Sequence, residues 1–558
     1  MDHANRQTTY ASAKWWALVL AVFAVTSCSS NRSRDHQSMN APSNETPDGS
    51  VSATATAVAG DAGSVAHTGT AGLDAGKAGS PALPDSGGFR TDGAAGKSAQ
   101  SPRDAAITTP RTHDAGDAAK REPRPIDGGY VSGPITGGNV PDAGSVDLSA
   151  YGYVEEEFFL EGDATTYVAS GELGIDGVWK AVANGQSPYQ TRLLVRRPAN
   201  AQNFNGTVFV EWLNVTGGVD ATVGFILAWE ELLRGGYGYV GVSAQQVGVD
   251  SLKSADDPRY GTLNHPGDEY AYEIFAQAGA AIGWPGKVDL MRGLPVERLL
   301  AYGESQSAMR MITYVNTVHP MTGVFDGFII HSRAGWGAPI GTESDGFLGN
   351  GQPVRVRTDI HDARVLQFFT ESELFLSLGP AYDARQPDSD YLRTWEVAGA
   401  AHADQHMLGG TADIGCGTLN DGPQHFVLKA AVREMHQWIK DGAPPPKGHP
   451  LEVVASNDAI ARDEHGNALG GIRTPAVDVP IATISGDASS GNAWNPVCQL
   501  MGQTIPFTPQ ELLALYPTHQ DYVDQVIESA HRTRKAGFIL PEEETTIVAT
   551  ANSAPIPK

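Results

Sequence analysis

Along most of the chain, short apolar runs of strand length alternate with longer stretches whose apolar positions recur at helical spacing. Residues 207–212, TVFVEW, form a β-rich run. Residues 222–236, TVGFILAWEELLRGG, have the helical spacing and end in a glycine pair that stops a helix. Residues 237–243, YGYVGVS, read as the next strand, and residues 268–284, DEYAYEIFAQAGAAIGW, as the next helix. Strand 299–302 leads into helix 307–318, and further strands follow at 325–331, 365–370 and 394–399. Residues 425–442 read as an amphipathic helix that stops at Asp441-Gly442. Strands separated by helices pair in parallel through right-handed crossovers. The pattern therefore predicts an α/β fold, with a mostly parallel central sheet and helices on both faces.

The amino-terminal part lacks this alternation. Arg6 and Lys14 precede an apolar stretch from Trp15 to Val25, too short to span a bilayer, which takes about 20 residues. A basic start followed by such a stretch is the pattern of a secretory leader, here residues 1–27. Val25-Thr26-Ser27-Cys28 resembles a bacterial lipoprotein box, which implies cleavage before Cys28 and acylation of that residue. Ser29 is similar to the outer-membrane sorting pattern, so the expectation is an exported, outer-membrane lipoprotein, periplasmic or on the cell surface. Residues 28–145 are rich in Ala, Gly, Ser, Thr and Asp and have too few large apolar side chains to offset the entropy of ordering. They are read as a disordered tether, which leaves residues 146–558 as the globular domain. Export also implies an oxidising compartment, and Cys416 and Cys498 are then the remaining pair, expected to be a disulfide.

Charge removes some partners. Lys and Arg total 39 against 64 Asp and Glu, a formal net charge of -25. Such a surface repels nucleic acid and offers no basic patch for anionic lipid. No thiolate pairs at zinc-site spacing occur, and neither a metal nor another cofactor is expected.

In open α/β sheets reactive groups sit beyond the carboxyl ends of the strands. Three strand ends carry them. Ser305 lies in GESQS after the strand 299–302, Glu371 and Glu373 in TESEL after 365–370, and His402 after WEVAGAA. The chain order Ser, Glu, His is that of an α/β-hydrolase triad. A serine hydroxyl needs a base, which His402 supplies, and a carboxylate must hold the imidazole in its tautomer. An acid about three residues past the strand favours Glu373, with Glu371 as the alternative. Stabilising an oxyanion takes two backbone N–H groups: one from Gln306, the other from the loop Asn214-Val215-Thr216-Gly217-Gly218, with Val215 or Thr216 as donor. Asn214, His331 and Arg333 also stand at strand ends and are candidate substrate contacts. His402, Asp404 and His406 in HADQH raise a metal-site alternative, but lack the spacing of a helical zinc motif.

Several stretches together, VEWLNVTGG, GYGYVGVSAQQVGV, HPGDEYAYEIFAQAG, GESQS, ARQPDSDYLRTWEVAGAAHAD and CQLMGQTIPFTPQELLALYPTHQDYV, resemble a bacterial α/β-hydrolase domain family. The resemblance runs from near Val146 into the last helix. It implies a Ser-carboxylate-His hydrolase with Ser305 and His402 at matching positions, and Cys416 and Cys498 fall in matching stretches. Ser307 departs from the usual elbow glycine. The expected activity is hydrolysis of carboxylic esters, with a small-molecule, lipid or polymer ester as substrate; oligomeric state is not legible. The alternative is a non-catalytic surface-binding lipoprotein on the same scaffold. The anchor has its own test: Cys28→Ala should move the protein from the membrane to the soluble fraction, and retention on the membrane would refute acylation at Cys28.

Overall fold

The computed structural model describes residues 126–138, 146–341, 351–376, 379–410, 415–454, 458–487 and 496–556. The leader, Cys28 and the tether up to residue 125 lie outside the described residues. Among those described, no helix is long and apolar enough to cross a membrane.

Nine strands form one sheet: β1 Tyr130–Ser132, β2 Tyr153–Ala169, β3 Ala181–Pro198, β4 Thr207–Trp212, β5 Gly238–Val242, β6 Arg298–Glu304, β7 Gly327–His331, β8 Arg364–Phe369 and β9 Leu392–Glu396. Their order is β1-β2-β3-β5-β4-β6-β7-β8-β9. From β5 to β9 all neighbours are parallel; β1, β2 and β3 join antiparallel at one edge. The alternation of side chains splits the core across the sheet. Leu299 and Ala301 of β6 enter one apolar cluster, with Ile274 and Phe275 of the helix Ala271–Gly283 and Met311 and Ile312 of Gln306–Thr317. Leu300 and Tyr302 enter the other, with Leu227 of the helix Val223–Arg234 and Leu428 of Gln424–Asp441. Helices thus cover both faces, as the alternation predicts.

The antiparallel edge was not foreseen. β2 and β3 are 17 and 18 residues long but carry many charges, so neither reads as an apolar run. Those charges are paired across the strands: Arg196 with Glu155 at 2.8 Å, Arg197 with Glu156 at 2.6 Å and Arg192 with Glu157 at 3.0 Å. Burial of polar residues in complementary pairs hides a strand from a hydropathy reading. Ordered structure also begins before residue 146, because β1 extends the edge by pairing with Phe159, Leu160 and Glu161 of β2.

Glu211 on β4 sets the start of the next helix. Its carboxylate accepts from the backbone N–H groups of Gly224 and Phe225 at 2.6 and 3.2 Å and from the Tyr239 hydroxyl at 2.8 Å. Burial nonetheless pushes this acid up to about 7. Between β4 and that helix runs the loop proposed to donate to the oxyanion.

Cys416 and Cys498 form a disulfide across a sequence separation of 82. It ties the segment after His402 to the helix Pro496–Met501, where the Ala403 N–H donates to the Leu500 carbonyl at 2.9 Å. Closing a loop of that length restricts the unfolded chain, so Cys416→Ser should cost about 4 kcal/mol in denaturant unfolding. An unchanged midpoint would show that the bond does not stabilise the fold.

Candidate active site

Ser305 terminates β6 and precedes the helix Gln306–Thr317. Its backbone sits at φ 57°, ψ -121°, a conformation that non-glycine residues adopt only under constraint. The constraint is visible: the Ser305 N–H donates to the His331 carbonyl at 3.0 Å, and its own carbonyl accepts from Met309 at 3.0 Å. Turning this sharply brings Gly303 against the helix, where an added Cβ would lie 2.8 Å from the Ser307 carbonyl oxygen. Serine is accommodated at 307 because its hydroxyl, fully buried, donates to the Glu304 carbonyl at 3.0 Å.

The turn aims Ser305 Oγ at His402, whose Nε2 is 2.9 Å away. On the other side of the ring, His402 Nδ1 is 2.7 Å from Glu373 Oε1. The second oxygen of Glu373 accepts from the Thr370 N–H and hydroxyl at 2.7 and 2.8 Å, a capping box at the start of the short helix Glu371–Leu374. Burial opposes the charge on His402, but the Glu373 hydrogen bond and the nearby Glu304 and Glu373 charges outweigh it and hold the imidazole above its ordinary value.

Glu371 points elsewhere. It accepts from the Gly399 N–H at 2.6 Å, Arg462 Nη2 at 3.0 Å and the Gly486 N–H at 3.1 Å. The alternative acid is therefore a clamp on the loop leading to His402, and Glu373 alone of the pair reaches the imidazole. The clamp has partners that the sequence did not single out. The Ser372 hydroxyl accepts from the His402 N–H at 3.0 Å, and Gln424 Nε2 donates to the Ala401 carbonyl at 3.0 Å. Only their adjacency to TESEL and to a helix start offered a signal.

The loop after β4 approaches from the opposite side. The Thr216 N–H already donates to Asn214 Oδ1 at 2.8 Å, which removes Thr216 as an oxyanion donor. Among the described residues, the backbone N–H groups of Val215 and Gln306 have no acceptor. The Gln306 side chain is held by Gln245 at 2.6 Å, and Gln245 in turn by Asp268 at 2.9 Å, which also pairs with Arg310 at 2.9 Å.

The candidate substrate contacts prove to be interior. Asn214 Nδ2 donates to Glu304, through its carbonyl at 3.0 Å and its carboxylate at 2.9 Å. His331 is fully buried, 2.6 Å from the Tyr302 hydroxyl, and burial followed by the His402 charge pulls it down to about 3. Arg333 is also fully buried, donates to Gln367, Ala334 and Val354, and is pulled down to about 9 by burial. Strand-end position predicted access for these two side chains, whereas both turn inward. The HADQH residues do not share a centre: Asp404 accepts from the Met407 N–H at 2.8 Å, and the His406 ring stacks on His425 at 3.8 Å.

A mainly parallel sheet of this order, with serine, acid and histidine in that chain order after β6, β8 and β9, defines the α/β-hydrolase class. The chain belongs to the alpha/beta hydrolase domain family, whose model matches residues 123–549. Solved structures similar to part of it include an esterase from Rhizomucor miehei, at 11% identity over 51% of this chain and 85% of that one, with TM-score 0.26. A glucuronoyl esterase from Solibacter usitatus matches at 12% identity, 44% and 76% coverage and TM-score 0.23. A dienelactone hydrolase from Anabaena variabilis matches at 13% identity, 42% and 83% coverage and TM-score 0.21. Likenesses at this level carry nothing about substrate. No curated protein matches the chain in a sequence search.

The two glutamates should separate by mutation. Glu373→Gln should lower kcat by about three to four orders of magnitude with little change in melting. Glu371→Gln should cost about 3 kcal/mol of stability, because it leaves Arg462 without its buried partner. Equal kinetic losses in both variants would contradict this division.

Proposed function

We propose that the protein is a serine hydrolase that cleaves carboxylic esters through an acyl-enzyme on Ser305. The observation that carries this reading is the Ser305 Oγ to His402 Nε2 distance of 2.9 Å, with Glu373 at 2.7 Å from the opposite ring nitrogen. As Oγ attacks the ester carbonyl carbon, its proton passes to Nε2. Glu373 holds the Nδ1 proton and stabilises the imidazolium. The carbonyl oxygen takes the negative charge and receives the N–H groups of Val215 and Gln306. The C–O bond to the alcohol then breaks as Nε2 returns the proton to the leaving oxygen. Water repeats the sequence on the acyl group and frees Ser305. Ester chemistry is favoured because the base and the oxyanion donors supply what acyl transfer from an activated carbonyl requires. We place the domain on the outer membrane through an acylated Cys28 and the tether that follows, on the strength of the lipoprotein-box resemblance.

Ser305→Ala should lower turnover of a short-chain p-nitrophenyl ester by at least about a thousandfold; full turnover by the variant would end the proposal. The pH dependence has a defined sign. A protonated imidazole cannot accept the Ser305 proton, and His402 is held above its ordinary 6.5, so kcat/KM should fall as pH drops through a midpoint above 6.5. A midpoint below that value would contradict the charge environment described.

A further inference from the structure

The residue before the nucleophile has a position that the triad does not use. Glu304 Oε1 lies 3.4 Å from His402 Nε2, the nitrogen that also faces Ser305. Its side chain is 4% exposed. Asn214 Nδ2 holds its other oxygen at 2.9 Å and its carbonyl at 3.0 Å, and the Ser307 hydroxyl holds the same carbonyl at 3.0 Å. The imidazole therefore stands between two carboxylates, one at each ring nitrogen.

Building on the acyl-enzyme reading above, we propose that Glu304 is a second acidic positioning residue, whose carboxylate faces His402 Nε2 and stabilises the imidazolium as Ser305 attacks. The proton balance of the reaction is unchanged. The Ser305 proton moves to Nε2 while the Oγ–C bond forms, and it leaves on the alcohol oxygen when the C–O bond breaks. Glu304 takes no proton in this sequence and supplies only negative charge, in a buried setting where water screens it little. Asn214 ties the arrangement to the oxyanion loop, because its Oδ1 also accepts from the Thr216 N–H at 2.8 Å. The carboxylate that answers the imidazolium and the loop that answers the oxyanion are thus set by one side chain.

The groups around Glu304 determine when it is charged. His402 on the loop after β9 favours its ionisation, as does the Asn214 hydrogen bond; Glu373 after β8 and Glu211 on β4 oppose it. Tyr302 on its own strand is kept neutral by burial, and His331 on β7 is pulled down to about 3. Burial is the largest influence and pushes Glu304 up to about 7. Protonation of Glu304 should attenuate activity, whereas protonation of His402 removes the base.

The test is the pH profile of kcat/KM on a short-chain p-nitrophenyl ester, for the unaltered protein, Glu304→Gln and Glu304→Asp. Removing the negative charge lowers the affinity of His402 for its proton, so in Glu304→Gln the acid limb should move down by about one pH unit. The alkaline plateau should fall about tenfold. Glu304→Asp keeps the charge but withdraws it by one methylene, and should shift the limb less, in the same direction. A merely structural role would lower the plateau without moving the limb; an unmoved limb, or an unchanged plateau, overturns the proposal. Ser305→Ala separates the two readings. If it is inactive while Glu304→Gln leaves the limb in place, only the role of Glu304 fails; if it is active, the acyl-enzyme reading fails first.

Discussion

The site depends on a charge kept out of water. In the reaction proposed, His402 carries a proton briefly while enclosed by the ends of β6, β8 and β9, and burial alone would oppose that charge. Glu373 answers it at Nδ1 and Glu304 stands at Nε2, so the cost of the imidazolium is met by fixed partners rather than by solvent. This requires both carboxylates to be held. Glu373 is held by the capping box with Thr370, and Glu304 by Asn214, with the Ser307 hydroxyl on its backbone carbonyl. Neither acid is free to turn toward water, which is what makes the arrangement preorganised.

The parallel sheet makes such an arrangement possible. Its strands deliver their carboxyl ends to one rim, and each contributes one differently constrained connection. After β6 the turn is strained, with Ser305 at positive φ. After β8 it is a capped helical turn. After β9 it is a longer excursion that needs outside support, which comes from Glu371, Ser372, Gln424 and the Cys416–Cys498 disulfide. His402 is thus braced by residues far apart in sequence, while Ser305 is braced by its own helix and by the end of the adjacent strand β7.

That difference explains what the sequence made legible. That Ser305, Glu373 and His402 come together at one rim was readable because each follows an apolar run whose length marks a parallel strand. The central strands and their helices were readable for the same reason. The long β2–β3 edge was not, because its charges find partners only across strands. Glu371 and Glu373 could be ranked by spacing but not separated, since only the helical turn shows which carboxylate faces the ring. His331 and Arg333 were misjudged because position at a strand end does not reveal on which side of the sheet a residue lies. Glu304 was in plain view beside the nucleophile, yet its meaning depends on Asn214 and His402, ninety and more residues away in either direction.

The central claim is that Ser305 becomes the nucleophile because His402 takes its proton. The most direct measurement is reaction of the intact protein with a fluorophosphonate, followed by mass mapping of the adduct. The account predicts a single phosphonylated residue, Ser305, whose labelling is lost in Ser305→Ala and strongly slowed in His402→Ala. Labelling at another residue, or labelling of Ser305 at an undiminished rate without His402, would contradict it.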